Sequence, residues 1–316
     1  MPPKTRAIAL FAVLTAAATY VLVAIPPVLQ DESYHQFADQ RTIWGIPNFW
    51  NVISNLAFLV SGVWGIGALR RAEAFRCPWE RAAFGVLLAG VLLTAAGSAY
   101  YHLRPNNGTL VWDRLPMTLA FLSLFSMTIG ERIDPRLGRA LLLPLLVAGT
   151  ASVLYWKATG DLRSYGLTQF VPLIAIPAML LLFPAHYSHS GGIWAMAGLY
   201  VLAKAVELYD RPIGALMATG GHPWKHVLAA AAVACYVAAV RRRRPSDARV
   251  LDHFGISAPV NTAPLRSRLG NSTELATTAT EPRPLGSGCP LEPRNPQNGY
   301  APLTRRPCLA RRLVRY

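Results

Sequence analysis

Two histidines stand four residues apart in Gly221-His222-Pro223-Trp224-Lys225-His226. On a helix that spacing puts them on one face. Both imidazoles can then reach a single metal ion. Pro223 suits the first position of a helix, which places the helix start at His222. Ser98 and His102 repeat the spacing in Gly97-Ser98-Ala99-Tyr100-Tyr101-His102. A third group, Trp112-Asp113-Arg114-Leu115-Pro116-Met117, puts one carboxylate at the start of an apolar run. Each group alone also has a plain structural reading. A serine can bond its own helix backbone. An aspartate in a first turn complements the helix dipole. Arg114 can pair with Asp113 or a lipid head group, and a lone H-x-x-x-H pair arises by coincidence.

The elements that must position these groups are long and apolar. Of 316 residues, 53% are hydrophobic and 15% charged, against about 25% charged in an average soluble domain. About 20 apolar residues span the hydrocarbon core as a helix. Backbone amides find no water there, so only helices or closed barrels cross. No alternating ten-residue pattern appears, which argues against a barrel. The spans are read at residues 7–27, 49–69, 82–103, 109–130, 137–156, 165–184, 191–208 and 222–240. The segment 191–208 is the weakest, since it ends in the polar run Lys204, Glu207 and Asp210. Lys4, Arg6 and the first apolar stretch also fit a secretory signal. That stretch reaches Ile25 and ends in Pro26-Pro27 without an A-x-A site, so it is read as a retained span. The expectation is an all-α membrane protein: a seven-helix transmembrane core with one added N-terminal span. Its divisions are residues 1–30, 31–244 and a tail at 245–316.

Charge separates the tail from the core. Residues 1–240 hold 17 Lys/Arg against 11 Asp/Glu, and residues 241–316 hold 14 Arg against 5. The basic balance therefore comes largely from the tail and does not point to a nucleic-acid partner. The tail is rich in Pro, Arg, Ser and Thr without helical period, so disorder is expected. Four consecutive arginines at 241–244 read as a stop-transfer anchor, or as an attachment to anionic lipid. The four cysteines form no CxxC pair, and no structural disulfide is implied.

The positive-inside rule orients the spans. Lys4 and Arg6, the 70–81 loop with four arginines, Arg132 and Arg136, and residues 241–244 all fall on one side when eight spans are counted. That side is the cytoplasm, with both termini in it. The 28–48 loop, with Asp31, Glu32 and Asp39 against Arg41 alone, falls on the outer side. His102, His222 and His226 then all sit at outer helix ends and can supply three nitrogens to one Zn²⁺. Three protein ligands and an open position form the catalytic zinc pattern. Ser98 and Asp113 would bring a hydroxyl and a carboxylate beside it. His186 and His189 fall in the opposite loop and His253 in the tail. His35 lies in an outer loop, but nothing in its spacing recommends it.

The order S-x-x-x-H, D-x-x-P-M, H-x-x-x-H resembles alkaline ceramidases, within a wider group of membrane hydrolases that includes progestin and adiponectin receptors and GPI-remodelling proteins. The segment Asn48-Phe49-Trp50-Asn51-Val52-Ile53-Ser54-Asn55-Leu56 resembles the ceramidase F-W-N-x-x-S-N stretch at the start of the first core span. The resemblance covers about residues 30–240. It implies a seven-span fold, with His102, His222 and His226 as zinc ligands and Ser98 and Asp113 in the active site. It also implies a ceramide-like lipid substrate, cleaved to sphingoid base and fatty acid. Water activated by zinc would attack the amide, Asp113 would act as general base and acid, and Ser98 would stabilise the oxyanion. Ser98 is disfavoured as a nucleophile because no base is left to pair with it. Two departures stand out. Asn48 replaces a glutamate of the animal and fungal enzymes, and the 34–40 segment has few hard anionic ligands, which weighs against Ca²⁺. Lys225 stands where the family often has an aromatic residue. The alternatives are a receptor or transporter with a non-catalytic zinc site, or a related lipid esterase. The oligomeric state is left open.

Overall fold

The computed structural model describes residues 1–246. The expected tail lies outside the described residues apart from Pro245 and Ser246, and so do His253, Cys289 and Cys308. Ten helices run in chain order: α1 Pro3–Ala24, α2 Phe49–Ile53, α3 Leu56–Leu69, α4 Pro78–Leu103, α5 Asn107–Arg132, α6 Pro135–Thr159, α7 Arg163–Leu182, α8 Gly191–Leu208, α9 Asp210–Leu216 and α10 His222–Arg242. Eight spans, counting α2 and α3 as one and leaving out α9, are long and apolar enough to cross a membrane. The chain is a multi-pass, all-helical membrane protein.

The helix ends follow local chemistry. α1 stops at Ala24, before the residue preceding Pro26, where the proline ring disfavours helical backbone. α5 starts at Asn107, two residues earlier than expected, because Asn106 caps it. The Asn106 side chain accepts from the Gly108 and Thr109 amides, and the Thr109 hydroxyl answers to the Asn106 amide. Asp134 caps α6 in the same way, with Pro135 in the first turn. Gly160 closes α6 at φ 77°, the left-handed backbone that glycine adopts without strain. α10 starts at His222, as Pro223 predicts.

One expected span is interrupted. Residues 49–69 form α2 and α3, broken at Ser54 and Asn55. The Asn55 amide group donates to the Asn51 carbonyl at 2.8 Å, competing with the helix ladder. The polar end of α8 also leads into the short helix α9, which the apolar pattern does not foretell.

α4 and α5 pack most extensively, followed by α8 with α10 and α5 with α6; α3 bridges α4 and α10. Phe84, Leu87, Leu88, Met127, Met179 and Val237 fill the core between them. α1 is peripheral and rests on α7. Its C-terminal carbonyls, Leu22 and Ile25, accept from Arg163, which also pairs with Asp161 at 2.7 Å. α5 also carries Arg114, 5% exposed, whose guanidinium lies 4.0 Å from the Trp156 ring centroid and 4.5 Å from that of Tyr165. Arg114 donates to the Gln30 side chain at 2.6 Å and so holds the 28–48 loop over the bundle.

The α4–α5 contact is backbone on backbone. A Cβ at Gly97 would sit 2.0 Å from the Trp112 carbonyl oxygen, and one at Gly90 would sit 2.7 Å from the Ala120 nitrogen. Gly85, on the same helix, has nothing within 4 Å of that position. Gly97→Ala is therefore expected to destabilise the detergent-solubilised protein by about 1–3 kcal/mol, the usual cost of overpacking. Gly85→Ala is expected to be neutral or stabilising. Thermal melts of the two variants test this; equal melting temperatures would refute the close crossing.

Candidate metal centre and its cavity

Two helices bring the three histidines together. His102 is in the last turn of α4, and His222 and His226 are on the first two turns of α10. Their ring centroids are 4.9–5.0 Å apart in all three pairs. One ligand nitrogen from each lies within 4.8 Å of the others. All three side chains are buried.

The nitrogens suit a metal. His102 Nδ1 and His222 Nε2 are buried without any hydrogen-bond partner. An unpaired buried acceptor of this kind costs about 1–3 kcal/mol, so two side by side call for a ligand. His226 is fixed differently. Its Nδ1 lies 2.8 Å from the Ser54 hydroxyl, which itself donates to the Asn51 carbonyl at 3.2 Å. That relay assigns the proton to Nδ1 and leaves the Nε2 lone pair for a metal. The donor set, three imidazoles without a fourth His, Cys, Asp or Glu in the cluster among the described residues, fits a zinc ion with an open position.

Several supports escaped sequence reasoning. Ser54 is one, although the F-W-N-x-x-S-N segment that contains it was conspicuous. The break between α2 and α3 puts Ser54 against α10. Asn48, at φ 49°, donates to the His102 carbonyl at 2.8 Å. Asn48, whose side chain weighs against calcium, therefore fastens the end of α4. Asp39 accepts from the Trp50 amide at 2.9 Å and from Arg41 at 2.8 Å, which ties the 28–48 loop to α2. Asp210 accepts from the His222 amide at 2.7 Å and from the Ala38 amide at 2.8 Å, so it caps α10 at the metal centre. Phe37 covers the cluster, its ring centroid 4.3 Å from that of His222 and 4.7 Å from that of His102.

His35 stays outside the cluster. Its Nδ1 meets the Tyr101 hydroxyl at 2.8 Å and its Nε2 the Asn107 side chain at 3.1 Å. His186 and His189 line a separate pocket at the other end of the bundle.

Ser98 and Asp113 face each other across the α4–α5 contact, where the hydroxyl interacts with the carboxylate. Both are buried, and both line a cavity that His226 also lines. The cavity encloses about 1150 Å³ of empty space, its open mouth included. Beyond this polar end its walls are apolar, with Phe58, Val91, Phe121, Ile176, Met196 and Val233 among them. It follows α10 from Lys225 to Tyr236, about 16 Å at 1.5 Å per residue. That is about half of a 30 Å hydrocarbon core. Lys225 lines the wall and pairs with Glu207 at 2.6 Å; Glu207 also pairs with Lys204. α7 and α8 share little contact along the cavity, and the Gln169–Tyr200 hydrogen bond of 2.7 Å joins them there.

Metal analysis checks the donor set. The expected result is one Zn²⁺ per chain, lost in a His222→Ala/His226→Ala double variant. Ser54→Ala is expected to keep the fold and weaken zinc binding about 10–100-fold, the usual cost of losing a group that orients a ligand. Zinc retained in full by the double variant would remove the site. No family model and no curated protein matches the chain.

Proposed function

We propose that this chain is a zinc-dependent membrane amidase that cleaves ceramide-like lipids to a sphingoid base and a fatty acid. One observation carries the reading: the histidine cluster, Ser98 and Asp113 sit at the polar end of an apolar cavity as long as one membrane leaflet is deep. Such a cavity suits a hydrocarbon chain whose polar linkage stops where the reactive groups are. The choice of ceramide among lipid amides rests on the resemblance to alkaline ceramidases.

Zinc held by His102, His222 and His226 would supply an acidified water and a Lewis acid for the acyl oxygen. The chain's own residues do the rest. Asp113 accepts the proton of the attacking water and passes it to the nitrogen of the leaving amine. Water thus divides between the products, its hydroxyl on the acid and its proton on the amine. The Ser98 hydroxyl can turn from Asp113 to the oxyanion that forms on the acyl carbon. Ser98 faces Asp113 and makes no hydrogen bond to an imidazole among the described residues, so it is not assigned as a nucleophile. Phe37 and the cavity walls keep bulk water from the reacting groups.

The charge bias of the loops supports the orientation given by the sequence. Both termini are then cytoplasmic, and the histidine end faces the periplasm or a lumen. Reporter fusions after Arg244 are expected to signal from the cytoplasm, and fusions in the 104–106 turn from the outer side. The reverse pattern would overturn this topology and leave the zinc chemistry untouched.

The mechanism divides metal binding from proton transfer. Asp113→Asn is expected to keep zinc and lose about 10²–10⁴-fold in turnover. Ser98→Ala is expected to keep zinc and lose about 10²–10³-fold, without an acyl-enzyme. The assay is release of fatty acid and sphingoid base from ceramide in detergent, from neutral to alkaline pH. Zinc-loaded protein that hydrolyses no lipid amide would refute the amidase. Hydrolysis of lipid esters alone would favour the esterase. Full activity in Asp113→Asn would discard this mechanism.

A further inference from the structure

A second pocket lies at the end of the bundle away from the histidines. The end of α5, the α7–α8 loop and the end of α10 enclose it, with about 400 Å³ of empty space. Its lining includes Arg132, Arg243, His186, Ser188 and Ser190, and one carboxylate, Glu131. Arg243 is only 4% exposed. Its Nε donates to the Ala74 carbonyl at 2.8 Å, its Nη1 pairs with Glu131, and its plane stacks 4.1 Å from the Tyr187 centroid. Tyr236 interacts with the guanidinium, yet Nη2 has no well-formed hydrogen bond. Burial opposes the Arg243 charge, but Glu131 and the neighbouring tyrosines outweigh it and raise its pKa. Arg132 is 8% exposed and donates to the Phe183 carbonyl at 3.2 Å. Among the described residues no carboxylate makes an ion pair with it.

The surrounding charge favours an anion. The guanidiniums of Arg76, Arg132 and Arg243 face the carboxylates of Glu80 and Glu131. Glu131 is engaged by Arg243. Glu80 does not line the pocket; it accepts from the Tyr187 hydroxyl and, at 2.9 Å, from the Arg76 amide. Arg76 reaches the His186 carbonyl at 2.9 Å. Burial, then Arg76 and Arg132, hold the His186 pKa below its usual range, so this ring adds no charge at neutral pH. Ser188 accepts from the Arg244 amide at 2.9 Å and keeps its hydroxyl proton to give. Ser190 immediately precedes α8, whose N-terminus carries partial positive charge. Guanidinium, hydroxyl and helix-end donors thus line one pocket together with apolar side chains, and these are the donor types that bind phosphate.

We propose that this pocket binds a phosphate group, presented by an anionic phospholipid or as inorganic phosphate. A buried guanidinium nitrogen without a well-formed hydrogen bond and a second buried arginine without a carboxylate partner are then both satisfied. The site would tie α5, α10 and the α7–α8 loop together at the end opposite the histidine cluster.

The test uses the full chain in a neutral detergent. Thermal melts followed by tryptophan fluorescence are recorded against sodium phosphate, with sodium chloride at matched ionic strength. They are repeated with phosphatidylglycerol against phosphatidylcholine at equal mole fraction. The expected result is a saturable rise in melting temperature with phosphate, with phosphatidylglycerol, or with both. Phosphate alone identifies a solute site, and phosphatidylglycerol alone a lipid site. Arg132→Gln is expected to weaken the apparent affinity about ten-fold or more, the loss of a hydrogen bond to a charged group. Stabilisation unchanged in folded Arg132→Gln would overturn the proposal, since binding at the distant histidines or on the surface would persist. Native mass spectrometry of the wild type gives a second readout that needs no variant. Phosphatidylglycerol retained no better than phosphatidylcholine, together with melts indifferent to phosphate, would also overturn it.

Discussion

Where α4 crosses α5, two backbones touch, and the positions of Ser98, His102 and Asp113 follow from that contact. Lipid tails are as apolar as leucine, so helices in a bilayer gain little from hiding apolar side chains against each other. Close packing and hydrogen bonds hold them together instead. Gly90 and Gly97 lie seven residues apart on one face of α4, and each meets α5 backbone where a side chain would be. Ser98 and His102 follow Gly97 within the next turn and a half of α4, and Asp113 follows Trp112 on α5. The Ser98–Asp113 contact therefore depends on a separation that glycine alone allows. Pro116, inside α5, presents its carbonyl oxygen to Gly90 at the same crossing.

Buried charge is otherwise neutralised within the bundle. Glu207 lies between Lys204 and Lys225. Arg114 lies among aromatic rings. Charged groups inside a membrane are costly and persist where partners meet them. Against that pattern, the unpartnered nitrogens of His102 and His222 are exceptions, and so are Nη2 of Arg243 at the other end and Nη1 of Arg114, which lack a well-formed hydrogen bond. Exceptions at both ends of a bundle that satisfies most of its polar groups are reasons to look for ligands there.

Much of this was legible in the sequence because the governing constraints are local. A bilayer demands long apolar helices, so the spans showed as runs of composition, with ends displaced by a few residues where Asn106 or Pro26 intervened. The i, i+4 pairs showed because helical spacing alone puts two side chains on one face. What escaped depends on partners far along the chain. Ser54 meets a histidine 172 residues away, and Ala38 meets Asp210 at the same separation. Only the fold decides those pairings. The break between α2 and α3 was hidden for another reason: Asn51, Ser54 and Asn55 sit in a run apolar enough to read as one span. The pocket at Arg243 was read as a surface anchor, because four consecutive arginines look alike in sequence while only the third of them is buried.

The covering of the histidine cluster bears on what the site can do. A structural zinc is usually closed by a fourth protein ligand. Here Phe37, a ring without a donor atom, packs on His102 and His222. Phe37 comes from the 28–48 loop, which Asp39 and Arg114 hold in place through separate contacts. A loop secured by polar groups thus presents an apolar ring to two of the three imidazoles and adds no fourth donor. In the proposed amidase that arrangement would leave a position for water. An amide is the harder linkage to break, because its nitrogen leaves only after it is protonated, so the proton carrier must stay close to the bond without binding the metal itself. Asp113 is outside the histidine cluster but on the same cavity wall as Ser98. A carboxylate that was a fourth ligand could not serve in that role; one held by a serine on the neighbouring helix can.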